Sequence, residues 1–157
     1  VFLRKRGANA AEKKADRALG AGVIAAYIHN GSVGAMVELS CETDFVAKNE
    51  EFRRLAHELA MQVAASNPQF VRAEEVTDEA KRVAKEVFAK ETAGKPQVLQ
   101  DKILAGKLDA YFADKILLEQ PFIKDAEQTV RALIESAIQK FGEKIAIARF
   151  ARFAVGN

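Results

Sequence analysis

With 157 residues, 49% of them hydrophobic and 29% charged, the chain has the composition of a soluble globular protein with room for one real core, which excludes disorder. A formal charge of +2 is too small to argue for nucleic acid. No apolar run approaches the ~18–20 residues of a bilayer span, no signal-peptide pattern is present, and the single Cys41 excludes an internal disulfide, so a reducing, cytoplasmic setting away from membranes is expected.

Val1 to Arg6 followed by Gly7 read as the end of an amphipathic helix with C-terminal cations and a glycine stop, the close of a segment expected to lie upstream. Residues 8–18 are helix formers without an apolar stripe, ended by Gly20 and Gly22. Together with Arg4, Lys5 and Arg6 they hold six cations against two anions, which suits a solvated linker helix or a basic arm for RNA or ribosome contact. Val23–His29 and Ser32–Cys41 around Asn30-Gly31 predict a β-hairpin with a two-residue turn. Such a turn pairs Ile28 with Val33, Ala26 with Ala35 and Ile24 with Val37 on one apolar face. Tyr27, Gly34, Met36 and Glu38 then fall on a face at least partly wet.

Where the hairpin hands over to helix, Thr43 and Asn49 are both good N-caps, and Glu50 and Glu51 follow the second. Two caps this close predict a short turn carrying Asp44, Phe45 and Val46, then the main helix, with an acid and an aromatic on an exposed corner. The same residues allow a second reading: Phe45 precedes Phe52 by seven positions, so one unbroken helix puts both rings in the core. The helix after Asn49 is striped by Phe52, Leu55, Ala56, Leu59 and Val63 and stopped at Ser66-Asn67-Pro68. Thr77-Asp78-Glu79 opens another, striped by Val83, Ala84, Val87 and Phe88, and Lys95-Pro96 starts a helical pair broken at Gly106. Residues 115–123 read as an extended edge segment and turn because of Pro121. A last helix is expected from Asp125 to Gly142. A terminal strand follows, with Ile145, Ile147, Ala151, Phe153 and Val155 on one face and a bulge near Arg149. The fold class is therefore α+β: a three-stranded antiparallel sheet, made of the N-terminal hairpin and the C-terminal strand, packed with helices.

No chemistry for catalysis stands out. The glycines lack phosphate-loop spacing, and His29, His57 and Cys41 have no metal-ligand spacing and form no nucleophile–base set. Cys41 reads as a small buried residue at a strand end. Neither enzyme activity, a cofactor nor a metal is expected; binding another protein is.

Glu42-Thr43-Asp44-Phe45-Val46-Ala47-Lys48-Asn49 resembles the signature of elongation factor Ts, the nucleotide exchange factor of the translational GTPase elongation factor Tu. Tyr27-Ile28-His29, Ala60-Met61-Gln62, Gly94-Lys95-Pro96, Leu117 to Asp125 and Arg149 to Phe153 match the same family in order. The resemblance implies that residues 1–20 are the remnant of the family's small N-terminal helical domain with a linker helix. Residues 21–157 are then the core domain for exchange and dimerisation. It further implies that Thr43, Asp44, Phe45 and Val46 enter the partner and disturb its Mg²⁺ and phosphate site, Phe45 as the aromatic wedge and Asp44 as a polar contact. Thr43 and Val46 shape the turn, which tilts Phe45 towards exposure. On this resemblance two departures from the family pattern are expected: a chain without most of the N-terminal domain, which would then bind the partner poorly, and one copy of the sheet-and-helix core where longer members carry two. Short members commonly act as dimers, which implies a homodimer through a free sheet edge or the half-wet hairpin face. The alternative to exchange is an RNA- or ribosome-binding module using the basic start; no direct nucleic-acid contact is expected under the first reading.

Overall fold

The computed structural model describes residues 18–156, so the expected helix end at Gly7 and all but the last residue of the linker helix lie outside it. The described chain forms two compact units, one made of residues up to Asn67 and from Pro121 onward, the other of Pro68–Gln120.

The first unit is built on the expected sheet. Strands β1 (Ala21–His29), β2 (Val33–Cys41) and β5 (Ala146–Ala154) are antiparallel in the order β1-β2-β5. Helix α2 (Glu50–Ser66) packs on β1 and β2 and buries Phe52, Ala56, Leu59, Ala60 and Val63, the predicted stripe except for Leu55. Each such side chain taken from water contributes about 1.5–3 kcal/mol if large. Helix α5 (Val130–Phe141) buries Val130, Ile134, Ala137 and Ile138, and its Phe141 ring meets Phe52 edge-on at 6.0 Å.

The hairpin register differs from the expected one by a single residue. Asn30 (φ 51°) and Gly31 (φ 67°) do form the turn that needs two positive φ values, closed by Ser32 N donating to His29 O at 3.0 Å. Ser32, however, stays out of the β1 ladder, because its carbonyl accepts from Val155 N at 2.9 Å. The loop therefore has one more residue, and His29 pairs with Val33, Ala26 with Met36 and Ile24 with Glu38. Ala35, Val37 and Cys41 are buried as expected, and Leu39 is buried with them, but the β1 partners of Ala35, Val37, Leu39 and Cys41 are Tyr27, Ala25, Val23 and Ala21. Ile24 and Ile28 face outward at 62% and 70% exposure. Alternation could not separate the two faces of β1, since both are apolar. Gly22 opposes Ser40, and a Cβ there would lie 2.4 Å from the Leu39 carbonyl oxygen, so that crossing admits only glycine.

The bulge expected near Arg149 is present: Glu38 pairs with Arg149 and Leu39 with Ile147, leaving Ala148 extra. It reverses the facing of β5. Ile145 and Ile147 are buried, whereas Arg149, Ala151, Phe153 and Val155 point outward, so those five apolar residues do not share one face.

The last helix begins later than expected. Asp125–Thr129 is strand β4, paired with β3 (Pro121–Phe122), and Thr129 caps α5 through Ala132 N at 3.1 Å. Asp125 spends its carboxylate on Glu127 N and the Gln128 amide instead. Buried Gln62 ties this hairpin to α2 by donating to Pro121 O at 3.1 Å and accepting from Ile123 N at 2.8 Å.

In the second unit, helices α3 (Asp78–Glu91) and α4 (Gln97–Lys115) pack on each other. Thr77 caps α3 as expected, through Ala80 N at 3.0 Å. Of the predicted α3 stripe Ala84 is buried, while Val83 and Val87 are about half exposed. Helix α4 runs unbroken through Gly106; a lone glycine costs a helix about 1 kcal/mol, too little to end one held by packing. Phe88 meets Tyr111 edge-on at 5.5 Å, and Lys107 pairs with Glu91. Residues 116–120 continue as an extended and 3₁₀ segment bonded to Phe70 and Val71, in keeping with the expected extended turn. Among the described residues no helix is long and apolar enough to cross a membrane.

Candidate functional site

Between β2 and α2 the chain makes a single turn of helix, α1 (Asp44–Ala47). Thr43 is its N-cap, extended at φ −127°, and its hydroxyl accepts from Val46 N at 3.4 Å. Asn49 then leaves helical geometry (φ −69°, ψ 133°) and caps α2, with Oδ1 accepting from Glu51 N at 2.8 Å and Phe52 N at 3.3 Å. This break decides between the two readings of Phe45. Phe52 enters the core with no exposed surface, whereas Phe45, on the other side of the Asn49 kink, is 85% exposed. Asp44 beside it is exposed as well, while Val46 and Ala47 are buried and anchor the turn. Leaving a phenylalanine ring in water forgoes roughly 1.5–3 kcal/mol of burial. The fold gains nothing from Phe45 where it stands.

The corner is held by groups that sequence reasoning did not single out. The Glu143 carboxylate accepts from Glu42 N and Thr43 N, both at 3.1 Å, and from the Thr43 hydroxyl at 2.6 Å. In return Lys144 N donates to the Glu42 carboxylate. Arg53 Nε donates to the Ala47 carbonyl at 3.3 Å, at the far end of α1. Cys41, fully buried at the end of β2 as its small apolar reading required, donates its thiol to the Thr43 carbonyl at 3.3 Å. Burial, and after it the Glu143 carboxylate, push that thiol's pKa up, away from the thiolate form that reactive cysteines use. Only Gly142 (φ 71°), the helix stop before Glu143, hinted in the sequence that the chain turns there; nothing local connects position 143 to position 43.

A second exposed feature is the outer face of the sheet. Its cross-strand rows are Ile24–Glu38–Arg149, Ala26–Met36–Ala151 and Ile28–Gly34–Phe153. Met36 is 51% and Phe153 79% exposed, and they border a shallow hollow of about 440 Å³ with Ala26, Ile28, Gly34 and Ala151. Arg149 Nε donates to Glu38 at 2.8 Å at the margin of this face. The histidines stand elsewhere, on the Tyr27 ring, with His29 and His57 each 6.0 Å from it. Among the described residues no group of three or more His, Cys, Asp or Glu is placed to hold a metal ion.

Residues 7–157 match the family model described as elongation factor TS. The chain belongs to the elongation factor Ts family. It is 48% identical over 157 residues to elongation factor Ts of Thermodesulfovibrio yellowstonii, covering 99% of this chain and 79% of that protein. To the Moorella thermoacetica protein of the same name it is 48% identical over 159 residues, covering 99% and 78%. To that of Thermotoga neapolitana it is 46% identical over 157 residues, covering 99% and 80%. The role of a translation elongation factor comes with membership of the elongation factor Ts family.

Proposed function

We propose that this chain is a guanine-nucleotide exchange factor for elongation factor Tu in the cytoplasm and that Thr43–Val46 is the part that acts. One observation carries the reading: Phe45 stands 85% exposed on a turn anchored by buried Val46 and Ala47 and bounded by the caps Thr43 and Asn49. A ring so presented can enter a partner's pocket, with Asp44 beside it as the polar contact. Mg²⁺ bridges the phosphates of a bound nucleotide to the GTPase, so displacing its ligands removes much of what holds the nucleotide. A roughly thousandfold faster release needs about 4 kcal/mol off the barrier, and a buried aromatic anchor supplies ~2–4 kcal/mol. Linkage makes the effect mutual: the factor weakens nucleotide binding as far as nucleotide weakens factor binding.

The outer sheet face is the second contact of this reading, and its occupant is a second copy of the chain. A two-fold contact requires a surface complementary to itself. Here projecting Phe153 and Ile28 border the hollow over Gly34, Ala26 and Ala151, and the margin carries both a cation and an anion.

The experiment is to mix the chain with elongation factor Tu loaded with fluorescent GDP and to time its release. Acceleration that Phe45→Ala removes, with the unfolding midpoint unchanged, is the expected result. No acceleration by the wild-type chain overturns the proposal.

A further inference from the structure

The turn that carries Phe45 cannot hold itself. Four helical residues lie far below the ~12–15 at which an isolated helix becomes even marginal, so the direction of the ring is set by what the turn is fastened to. The side chain that fastens the turn's entry from far along the chain is Glu143, which binds residues 100 and 101 positions earlier. We propose that Glu143 is the positioning residue of the exchange corner, clamping the Glu42–Thr43 backbone so that Phe45 is presented in one fixed direction. The inference rests on the exchange reading above.

The geometry suits this role in three ways. First, the carboxylate has acceptors for all three donors: Oε1 takes both backbone N–H groups at 3.1 Å and Oε2 takes the Thr43 hydroxyl at 2.6 Å. Hydrogen bonds to an ionised acceptor are shorter and about twice as strong as neutral ones. Second, receiving the Thr43 O–H orients that hydroxyl, leaving its lone pairs to cap Val46 N. Glu143 thereby sets the cap of α1 as well as its entry. Third, the clamp works in both directions, since Glu42 accepts from Lys144 N, so the β2–α1 and α5–β5 junctions are cross-joined. The elements on either side are held by their own cores: Cys41, Ile145 and Ile147 are buried, and Phe141 packs on Phe52. What the clamp adds is orientation. A misplacement of about 1 Å can cost a reaction on the order of 10²-fold in rate.

Glu143→Gln is the discriminating variant. Its amide keeps one acceptor oxygen, but its NH₂ group faces the Thr43 hydroxyl, which then no longer has an acceptor for its own proton. The measurement is a double-mutant cycle on GDP release at saturating factor, with wild type, Phe45→Ala, Glu143→Gln and the double variant. The expected result is release roughly tenfold slower for Glu143→Gln, no further slowing when it is added to Phe45→Ala, and faster amide exchange at Thr43, with the thermal midpoint within a few degrees of wild type. Wild-type release by Glu143→Gln beside a slow Phe45→Ala overturns the positioning role and leaves the exchange reading standing. Equal slowing in both Phe45 backgrounds overturns it too, since Glu143 then acts by another route. A Phe45→Ala variant as fast as wild type sinks the exchange reading and this inference with it. Should Glu143→Gln fail to fold, Glu143→Asp, which keeps the charge but shortens the side chain by one methylene and so draws the carboxylate off the Glu42–Thr43 donors, carries the same cycle with the same outcomes.

Discussion

The corner at Phe45 and the outer sheet face both leave apolar side chains in water, by opposite means. At the corner one ring stands alone, its neighbours Val46 and Ala47 buried and the backbone fastened by Thr43, Asn49, Arg53 and Glu143. On the sheet, exposure is shared among Ile24, Ile28, Met36 and Phe153 across three strands, and the ladder itself supplies the rigidity. A single fixed projection suits prying into a pocket. A broad, nearly flat face suits lying against another of its kind. Exposure by itself says little; what holds the exposed group says what it can do.

The sharpest test of this contrast is Phe45→Ala. It should slow partner-dependent GDP release by roughly 30- to 1000-fold, the equivalent of ~2–4 kcal/mol, and leave the unfolding midpoint where it was. A large fall in the midpoint instead would mean that the ring belongs to the core. Next comes Phe153→Glu, which places an unpaired carboxylate from each protomer inside the proposed two-fold contact and should weaken it. Sedimentation equilibrium should then show protomers where the wild type associates. Secondary structure by circular dichroism should be retained, because Phe153 is 79% exposed. An unchanged association state would remove the outer face from the reading. Asn49→Ala deletes the cap that kinks the chain between Phe45 and Phe52, and should cost about 1 kcal/mol and a few degrees of melting temperature. The smallest effect belongs to Arg149→Gln at the margin of the outer face. The ion pair with Glu38 is largely exposed, so chemical denaturation should register at most about 1 kcal/mol.

Much of this is legible in the residues themselves. Cap chemistry placed Thr43, Asn49 and Thr77, periodicity placed the stripe of α2, and Asn30-Gly31 placed the turn, because each signal lies within a few residues of what it specifies. The errors have one origin. Ser32 joined the loop because β5, far along the chain, takes its carbonyl; the facing of Phe153 reversed at the Ala148 bulge; and Asp125 entered a strand because Pro121–Phe122 was there to pair with it.

By itself, then, the sequence determined the kinds of most elements, which strands share the sheet and an acid–aromatic pair between two caps, since these follow from local backbone preference and the spacing of apolar residues; the order β1-β2-β5 came from the tertiary structure. Tertiary structure alone decided which face of β1 meets the core, that Phe45 points to water, and that Glu143 reaches back to Thr43. Those depend on which distant backbone groups compete for the same hydrogen bonds and the same covered surface, and no window of neighbouring residues carries that information.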